Sequence, residues 1–272
     1  MQIYKFRDLT ILENEKNKLV IACDSCGGIG ENEGDFVKAE NEIVSYFSAR
    51  VCLFELLAFR AKPLVIVNNL GMSMNNGGEK IIQGINRAIK EYNAEDFFYE
   101  KSNLLECVTG STEDNFKTFQ TFLGLTIIGE KEETLKVNFE KGDSICLLGM
   151  PKVGQEVLED INNNLGEIVT FKDFKILMDN KDVKDILPIG SKGIIHEISE
   201  LEKSNKIRIN LSYEGDYLRK SDCNICTVTV PKKIINWSCV SPHDYDKYIK
   251  NKIKLNKSDI LINGDLWRKL KI

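Results

Sequence analysis

The stretch IACDSCGGIGENEGDFVKAENEIVSYFSARVCLFELLAFRAKP, residues 21–63, decides the fold of this chain. It opens in an apolar run that reaches back to Leu19 and ends at Asp24, which predicts a strand followed by a loop. Beyond the loop, Asn41 is placed to cap a helix and Pro63 to end it. Apolar residues recur there at steps of three or four and predict an amphipathic helix with a core-facing stripe: Ile43, Phe47, Val51, Phe54, Ala58 and Ala61.

Glu55 is the one polar side chain in the helical run Val51–Phe59. It follows Val51 by one turn, so it is expected beside the apolar stripe. An unpaired buried carboxylate costs several kcal/mol, so a partner is required. Two partners fit the sequence: a cation such as Arg50, or a divalent metal ion shared with Asp24 and the acidic loop.

Composition excludes several classes of protein. The chain has 272 residues, 42% hydrophobic and 29% charged, which is typical of a globular protein of one large or two medium domains. A net charge of −4 without a basic block argues against nucleic-acid binding. No apolar run approaches the ~20 residues of a membrane span, and the first ten residues do not form a signal peptide. The expected location is the cytoplasm, with no membrane partner.

Eight cysteines in such a chain favour free thiols over disulfides. Two CxxC pairs, Cys23/Cys26 and Cys223/Cys226, leave a zinc site or a redox pair as alternatives. Against these, the second pair leads into a predicted strand, and the first lies in a loop rather than at a helix start. With His196 and His243 alone, a histidine-rich metal centre is excluded.

The order of predicted elements is β-loop-α-β-α-β-β in the first half. Strands are expected near residues 19–22, 64–67, 103–108 and 121–128, and a second helix is expected after Gly77-Gly78. Because this is not an unbroken βαβ alternation, an α+β sheet with helices on one face is favoured.

The charged stretch after Glu130 predicts a boundary between domains 1–130 and 131–272. In the second domain, strands are expected at 144–148, 186–189, 206–213 and 226–230, and helices at 153–162, 171–179, 194–201 and 244–254.

Acidic residues gather at loop positions of the first half: Asp24, Asp35, Glu55, Glu113 and Asp114. Magnesium suits them, since proteins hold it by one or two carboxylates together with phosphate oxygens of a substrate. Gly27, Gly28 and Gly30 either let backbone N–H groups approach a phosphate or form a plain turn. There is no GxxxxGK[ST] pattern and no GxGxxG before a helix.

The motifs Ala22-Cys23-Asp24 and Phe54-Glu55-Leu56-Leu57-Ala58-Phe59-Arg60-Ala61-Lys62-Pro63 resemble the PurM-like ATP-binding superfamily. It contains aminoimidazole ribonucleotide synthase, thiamine-monophosphate kinase, selenophosphate synthetase and the hydrogenase maturation factor. Glu55 stands where that superfamily usually has aspartate. Gly110-Ser111-Thr112-Glu113 is similar to its Gly-Gly-acid segment, with Thr112 at the acidic position, so the third metal ligand stays open between Glu113 and Asp114.

Within the superfamily, the chain looks most like the synthase-related α-ribazole kinases of cobalamin salvage. The shared forms are Cys-Asp-Ser near the start, Thr-Gly-Ser-Thr-Glu-Asp-Asn-Phe, a downstream Gln-Thr, and Leu-Pro-Ile-Gly-Ser-Lys-Gly. Selenophosphate synthetase has a Gly-Cys-Lys element before the Cys23 position, the hydrogenase factor has a functional cysteine at its end, and thiamine-monophosphate kinase has paired aspartates upstream of the Asp24 position. This sequence shows none of these three features.

The resemblance implies a two-domain α+β kinase that transfers the γ-phosphoryl of ATP to the 5′-hydroxyl of α-ribazole. It implies a homodimer formed through the N-terminal sheets. It implies Asp24, Glu55 and either Glu113 or Asp114 as magnesium ligands, and Lys192 at a helix start as a phosphate or substrate contact. The residues expected around ATP are Gly27, Gly28, Asp35, Lys38, Gly110, Ser111 and Thr112. A thiamine-monophosphate kinase-like enzyme and a non-catalytic ATP-binding assembly or sensor protein are the alternatives.

Overall fold

The computed structural model describes residues 1–15, 17–98, 107–131, 144–149, 152–207 and 225–230. The chain divides into two compact units, Met1–Thr134 and Leu135–Ile272. Among the described residues, no helix is long and apolar enough to cross a membrane. The strands predicted near 103–108 and 206–213 and the helix at 244–254 fall wholly or mostly outside the described residues.

The first unit is built on a six-stranded sheet in the order β1-β2-β3-β8-β6-β7. Its strands are β1 (Gln2–Phe6), β2 (Leu9–Glu13), β3 (Lys18–Gly27), β6 (Lys62–Leu70), β7 (Val108–Thr112) and β8 (Phe122–Lys131). β6 and β7 are parallel and the other neighbours are antiparallel. As a result β3, β6 and β7 run in the same direction, and their carboxyl ends meet at one edge of the sheet. We call this edge the carboxyl edge.

Two helices, α1 (Asn41–Ala58) and α2 (Gly78–Ala94), pack against each other, and α1 lies on β3 and β8. A 3-10 turn, Met74–Asn76, precedes α2. The sheet face under α1 is fully buried, with Val20, Ala22, Ile66, Leu125 and Ile127 each at most 1% exposed. This arrangement confirms the predicted α+β class with helices on one face of the sheet.

The predicted stripe is buried only in part: Phe54 and Ala61 are buried as expected, and the other four members are not. Ile43, Phe47, Val51 and Ala58 are only half-buried, whereas Cys52, Leu53, Leu56 and Leu57 are fully buried. The reason is that α1 packs against the sheet on one side and against α2 on another, so most of its circumference is apolar. The outer stripe is then as hydrophobic in sequence as the core-facing residues.

Both predicted ends of α1 need correction. The residue at the cap position is Glu40, and Asn41 is the first helical residue. The helix ends before Pro63, in a turn where Arg60 adopts a left-handed conformation (φ 61°) and Ala61 N–H donates to the Leu56 carbonyl. This is a Schellman motif with arginine in the place usually taken by glycine. Pro63 instead lies in β6, beside a bulge.

The second unit holds a three-stranded antiparallel sheet in the order β10-β11-β9. Its strands are β9 (Ser144–Leu148), β10 (Asp185–Ile189) and β11 (Ile225–Val230), and its helices are α3 (Gln155–Asn163), α4 (Phe171–Asp179) and α5 (Gly193–Asn205). Thr170 and Asp173 form a capping box at the start of α4. These elements agree with the strands and helices predicted for the described part of this half.

Candidate functional site

The carboxyl edge of the large sheet carries Asp24 on β3. The strand register aligns Asp24 with Leu125 of β8, Leu125 with Asn68 of β6, and Asn68 with Gly110 of β7. Asp24 and Asn68 alternate in phase with the buried residues of their strands, so both face the helices. One row across the sheet therefore places a carboxylate and an amide on either side of Leu125.

The environment of Asp24 disfavours its charge. Burial raises the pKa of the Asp24 carboxyl, and hydrogen bonds from the Ser48 side chain and the Ser25 backbone offset this effect only in part. Within the described residues, no lysine or arginine forms an ion pair with it. A half-buried carboxylate with a raised pKa and no such cation is a place where an added cation gains free energy.

The structure places Glu55 two helical turns beyond Ser48, the α1 residue that Asp24 contacts. Asp24 contacts Ser48 on α1, and Glu55 lies seven residues further along the same helix, about 10 Å along its axis. The buried Cys52 lies between them on α1. One Mg²⁺ with ligand distances of about 2.1 Å requires ligand oxygens within about 4 Å of each other. Glu55 is half-buried, so its burial alone does not require a metal ion.

The glycine-rich loop after β3 is held by Asp35, which is 5% exposed. Its carboxylate accepts hydrogen bonds from Thr121 N–H (2.8 Å), Thr121 Oγ1 (2.7 Å) and Asn32 N–H (2.8 Å). Gln120 Nε2 donates to the Gly34 carbonyl at 2.7 Å. These bonds fasten the loop to the start of β8, and they account for Asp35 without a nucleotide.

The other loop residues expected around ATP also have local roles. Gly28 has φ +73°, and its carbonyl accepts from Phe36 N–H at 2.8 Å, which closes the turn. Gly27 lies at the end of β3 opposite Phe122. The exposed Lys38 donates from Nζ to the carbonyls of Asn32 and Glu33. A two-stranded parallel pair, β4 (Ile29–Gly30) with β5 (Val37–Lys38), completes the loop.

The residues that follow Gly110 form the end of β7 and then a tight turn. Glu113 Oε1 accepts from Asn115 N–H (2.8 Å) and Phe116 N–H (3.2 Å), and Asp114 Oδ2 accepts from Thr112 Oγ1 (2.7 Å). Ser111, Asp114, Asn115 and Phe116 are exposed, whereas Thr112 and Glu113 are half-buried.

The distance across the sheet separates this turn from Asp24. Gly110 lies three strand spacings from Asp24, about 14 Å. Glu113 and Asp114 follow Thr112, the last residue of β7, so both carboxylates belong to the turn beyond this outer strand. Among the described residues, no group of three or more His, Cys, Asp or Glu side chains is placed to hold a metal ion.

Lys192 lies in the second unit. It is exposed and immediately precedes α5, after a turn in which Gly193 N–H donates to the Gly190 carbonyl at 3.0 Å. His196, one turn into α5, is half-buried.

The cysteine pair of the first half does not form a site. Cys23 and Cys26 lie three residues apart on β3, so their side chains leave opposite faces of the sheet. Burial and the nearby charges of Asp24 and Asp35 raise the pKa of Cys26 to about 11. Cys223, in the second pair, lies outside the described residues.

The sequence did not predict the roles of Asn68 and Thr121 in this region. Asn68 is 4% exposed and Thr121 is fully buried. The signal for Asn68 was its place directly after the apolar run Leu64–Val67, at the end of a strand. Thr121 belongs to the Gln-Thr motif of the resemblance, but its hydrogen bonds could not be predicted because its partner Asp35 is 86 residues away in the chain.

The donor set fits Mg²⁺ delivered with a nucleotide better than a preformed metal site. Mg²⁺ commonly takes one or two protein carboxylates and fills its remaining positions with phosphate oxygens and water. Asp24 supplies one carboxylate whose charge is otherwise poorly compensated. Asp24 is therefore the residue of the predicted set that best fits a metal–phosphate complex.

Comparison with known proteins identifies solved structures that share this fold. No protein-family profile matches the chain, and no curated protein sequence matches it. Among solved structures, it resembles AaThiL complexed with AMPPCP and TMP, with TM-score 0.55, 16% identity, and coverage of 83% of this chain and 79% of that one. It also resembles thiamine monophosphate kinase from Aquifex aeolicus, with TM-score 0.55, 14% identity, and coverage of 94% and 91%.

A third structure, a HypE–HypF complex, matches with TM-score 0.51, 14% identity, and coverage of 82% of this chain and 78% of that one. At such identities the likeness concerns the fold. The chain has the α+β fold of the PurM-like proteins, as its sequence predicted.

Proposed function

We propose that this protein is an ATP-dependent small-molecule kinase. The observation that carries the proposal is the half-buried Asp24 carboxylate, with its raised pKa, at the carboxyl edge of the sheet. In support, the fold is shared with a structure complexed with AMPPCP, an analogue of ATP. Positioning and charge neutralisation account for most of the catalysis in phosphoryl transfer, and Asp24 is suited to both through a bound cation.

In this proposal Asp24 binds Mg²⁺, which neutralises phosphate charge when ATP is bound. Glu55, Glu113 and Asp114 remain candidates for other contacts to the metal–nucleotide complex, and Gly27, Gly28, Lys38 and the Gly110–Thr112 segment for the nucleotide. Lys192 is proposed to contact a phosphate or the acceptor. Asp35 acts indirectly by fixing the glycine-rich loop to β8.

The proposed acceptor is α-ribazole, phosphorylated at its 5′-hydroxyl. This choice rests on the motifs Cys23-Asp24-Ser25, Thr109–Phe116, Gln120-Thr121 and Leu187–Gly193. A thiamine-monophosphate kinase-like activity is the second candidate, favoured by the structural likeness to thiamine monophosphate kinase.

A coupled assay of ADP release, with Mg²⁺–ATP and each acceptor in turn, tests the proposal. We expect turnover with α-ribazole and a loss of at least about 100-fold for Asp24→Asn, since the metal–phosphate complex loses its protein carboxylate. Turnover with thiamine monophosphate alone would reassign the acceptor. If neither acceptor yields ADP, the two kinase assignments fail.

A non-catalytic ATP-binding protein is the remaining candidate. It is favoured by Glu55 in place of the expected aspartate, and by the local hydrogen bonds that already occupy Glu113 and Asp114. Calorimetric binding of ATP without hydrolysis, across both acceptors, would identify this outcome.

We also propose that the protein is a homodimer that buries the sheet face opposite the helices. This open face is apolar over a wide area but only partly buried: Ile3 is 68% exposed and Leu19 is 40% exposed, in contrast to the fully buried face under α1. Its other apolar residues are half-buried, namely Leu12, Ile21, Val65, Val67 and Ile128. Contiguous exposed apolar surface of this kind marks association sites.

Two exposed thiols provide a test. Cys23 lies on the open face, next to Thr126, and Cys107 precedes β7. In a dimer formed through the open face, alkylation of Cys23 slows while Cys107 still reacts, and light scattering gives about twice the 30.9 kDa chain mass. Equal labelling rates of both thiols in a dimeric sample would show that the dimer forms through another surface.

A further inference from the structure

We propose that Asn68 is a positioning residue, which latches β7 to β6 and thereby fixes the segment Gly110–Asp114 for nucleotide binding. Asn68 is 4% exposed, and its Nδ2 donates a 2.9 Å hydrogen bond to the Thr109 carbonyl of β7. This bond adds to the parallel ladder in which Val67 faces Thr109 and Asn68 faces Gly110. The inference rests on the proposed function, because it gives the latched segment a nucleotide to bind.

Edge position makes a latch useful here. Among the described strands, β7 is the outermost of its sheet and pairs with β6 alone, and it has five residues. Its side chains are mostly exposed, so apolar packing contributes little to hold it. A side chain from the neighbouring strand that bonds its main chain therefore adds to the backbone ladder where apolar packing does not.

Gly110 completes the latch. A Cβ at position 110 would collide with the Asn68 main-chain carbonyl and with Asn68 Oδ1, so the close approach of the two strands needs glycine at this point. The glycine of the Thr-Gly-Ser-Thr motif is thus explained by the Asn68 contact. The same contact fixes Gly110, which lies in the row of the sheet that also contains Asp24. It therefore sets where Ser111, Thr112 and the Glu113–Asp114 turn leave the sheet.

Asn68→Asp is the sharpest variant, because it keeps the shape of the side chain and removes the donor. The matched control is Thr109→Val, which changes an exposed side chain and leaves the accepting carbonyl in place. By mass spectrometry we expect faster hydrogen exchange in peptides spanning residues 107–114 of the full-length Asp variant, with α2 unchanged. The control should exchange as the wild type does.

Kinetics distinguish positioning from stability. A misplaced nucleotide segment raises KM for ATP, by about tenfold for one lost buried hydrogen bond, with kcat within about twofold. A purely structural role would lower the amount of active enzyme, and so the maximal rate, with KM unchanged. Unchanged exchange at 107–114, or unchanged KM, overturns the inference. Failure of the proposed function shows separately, as a wild-type protein that neither binds nor turns over ATP.

Discussion

The hydrogen bond between Thr121 and Asp35 gives a prediction whose size follows from the structure. Thr121→Val keeps the volume of a fully buried side chain and removes the 2.7 Å bond from Oγ1 to Asp35 Oδ2. A hydrogen bond to a charged group contributes about 1.5–3 kcal/mol. Oδ2 keeps the Asn32 N–H and Oδ1 keeps the Thr121 N–H, so the loss should lie at the lower end, about 1.5–2 kcal/mol.

Local hydrogen exchange measures this change where it occurs. Both tryptophans, Trp237 and Trp267, lie in the second half of the chain, so intrinsic fluorescence would miss the loop. The loop instead has its own reporters in the amides of Gly34 and Phe36, which donate to the Phe119 and Gly28 carbonyls. A loss of 1.5–2 kcal/mol predicts exchange about 10- to 30-fold faster in peptides spanning residues 28–38.

Thr126→Val is the control on the same strand. Its hydroxyl is half-exposed and contacts the Cys23 thiol alone among the described groups, at 3.4 Å. We expect its effect on the loop to be within about twofold. Equal protection of the loop in the wild type and in Thr121→Val would show that the Thr121–Asp35 hydrogen bond does not hold the loop. Asp35 would then again be a candidate for contact with a ligand.

Three further predictions concern the first unit. Burial raises the pKa of Asp24, so the folded state binds its proton more tightly than the unfolded state does, and this residue lowers stability increasingly as pH rises above its ordinary value of 3.8. In calorimetry, Asp24→Asn should therefore have a higher melting temperature than the wild type at pH 7 but not at pH 3. A lower melting temperature of the variant at pH 7 would contradict this expectation. Gly84→Ala should lower the free energy of unfolding by about 1–3 kcal/mol, because its Cβ would collide with the Glu42 carbonyl of α1. The control is Gly124→Ala, whose Cβ meets nothing nearer than 3.8 Å and which should cost less than about 1 kcal/mol. Thermal melts followed by circular dichroism measure both. With a pKa of about 11, Cys26 holds about 100-fold less thiolate at pH 8 than it would at the ordinary value of 9.0. Iodoacetamide should therefore label the half-buried Cys26 slowly, and Asp24→Asn should speed this labelling, with the labelling of the exposed Cys107 as the internal reference.

The class of fold was predictable because it depends on the order of elements. Both helices and most strands of the first half, although not β7, carry a run or a period of apolar residues, and their order indicated helices on one side of a mixed sheet. The face of α1 was not predictable in the same way. Its outer stripe of Ile43, Phe47 and Val51 is as apolar as its buried side, so periodicity could not tell which stripe meets the core.

The two aspartates of the glycine-rich region show why the site was harder to predict than the fold. In sequence, Asp24 ends an apolar run and Asp35 lies in the acidic glycine-rich loop, and both are expected to contact the nucleotide or its metal. In the structure, Asp35 meets three donors, two of them from Thr121, which is distant in the chain; this set satisfies its charge and makes it a structural pin. Asp24 meets the Ser48 side chain and the Ser25 backbone, and burial outweighs them. The role of each carboxylate is therefore decided by which donors the fold brings to it, and the one that the fold leaves poorly compensated is the one to expect at the metal.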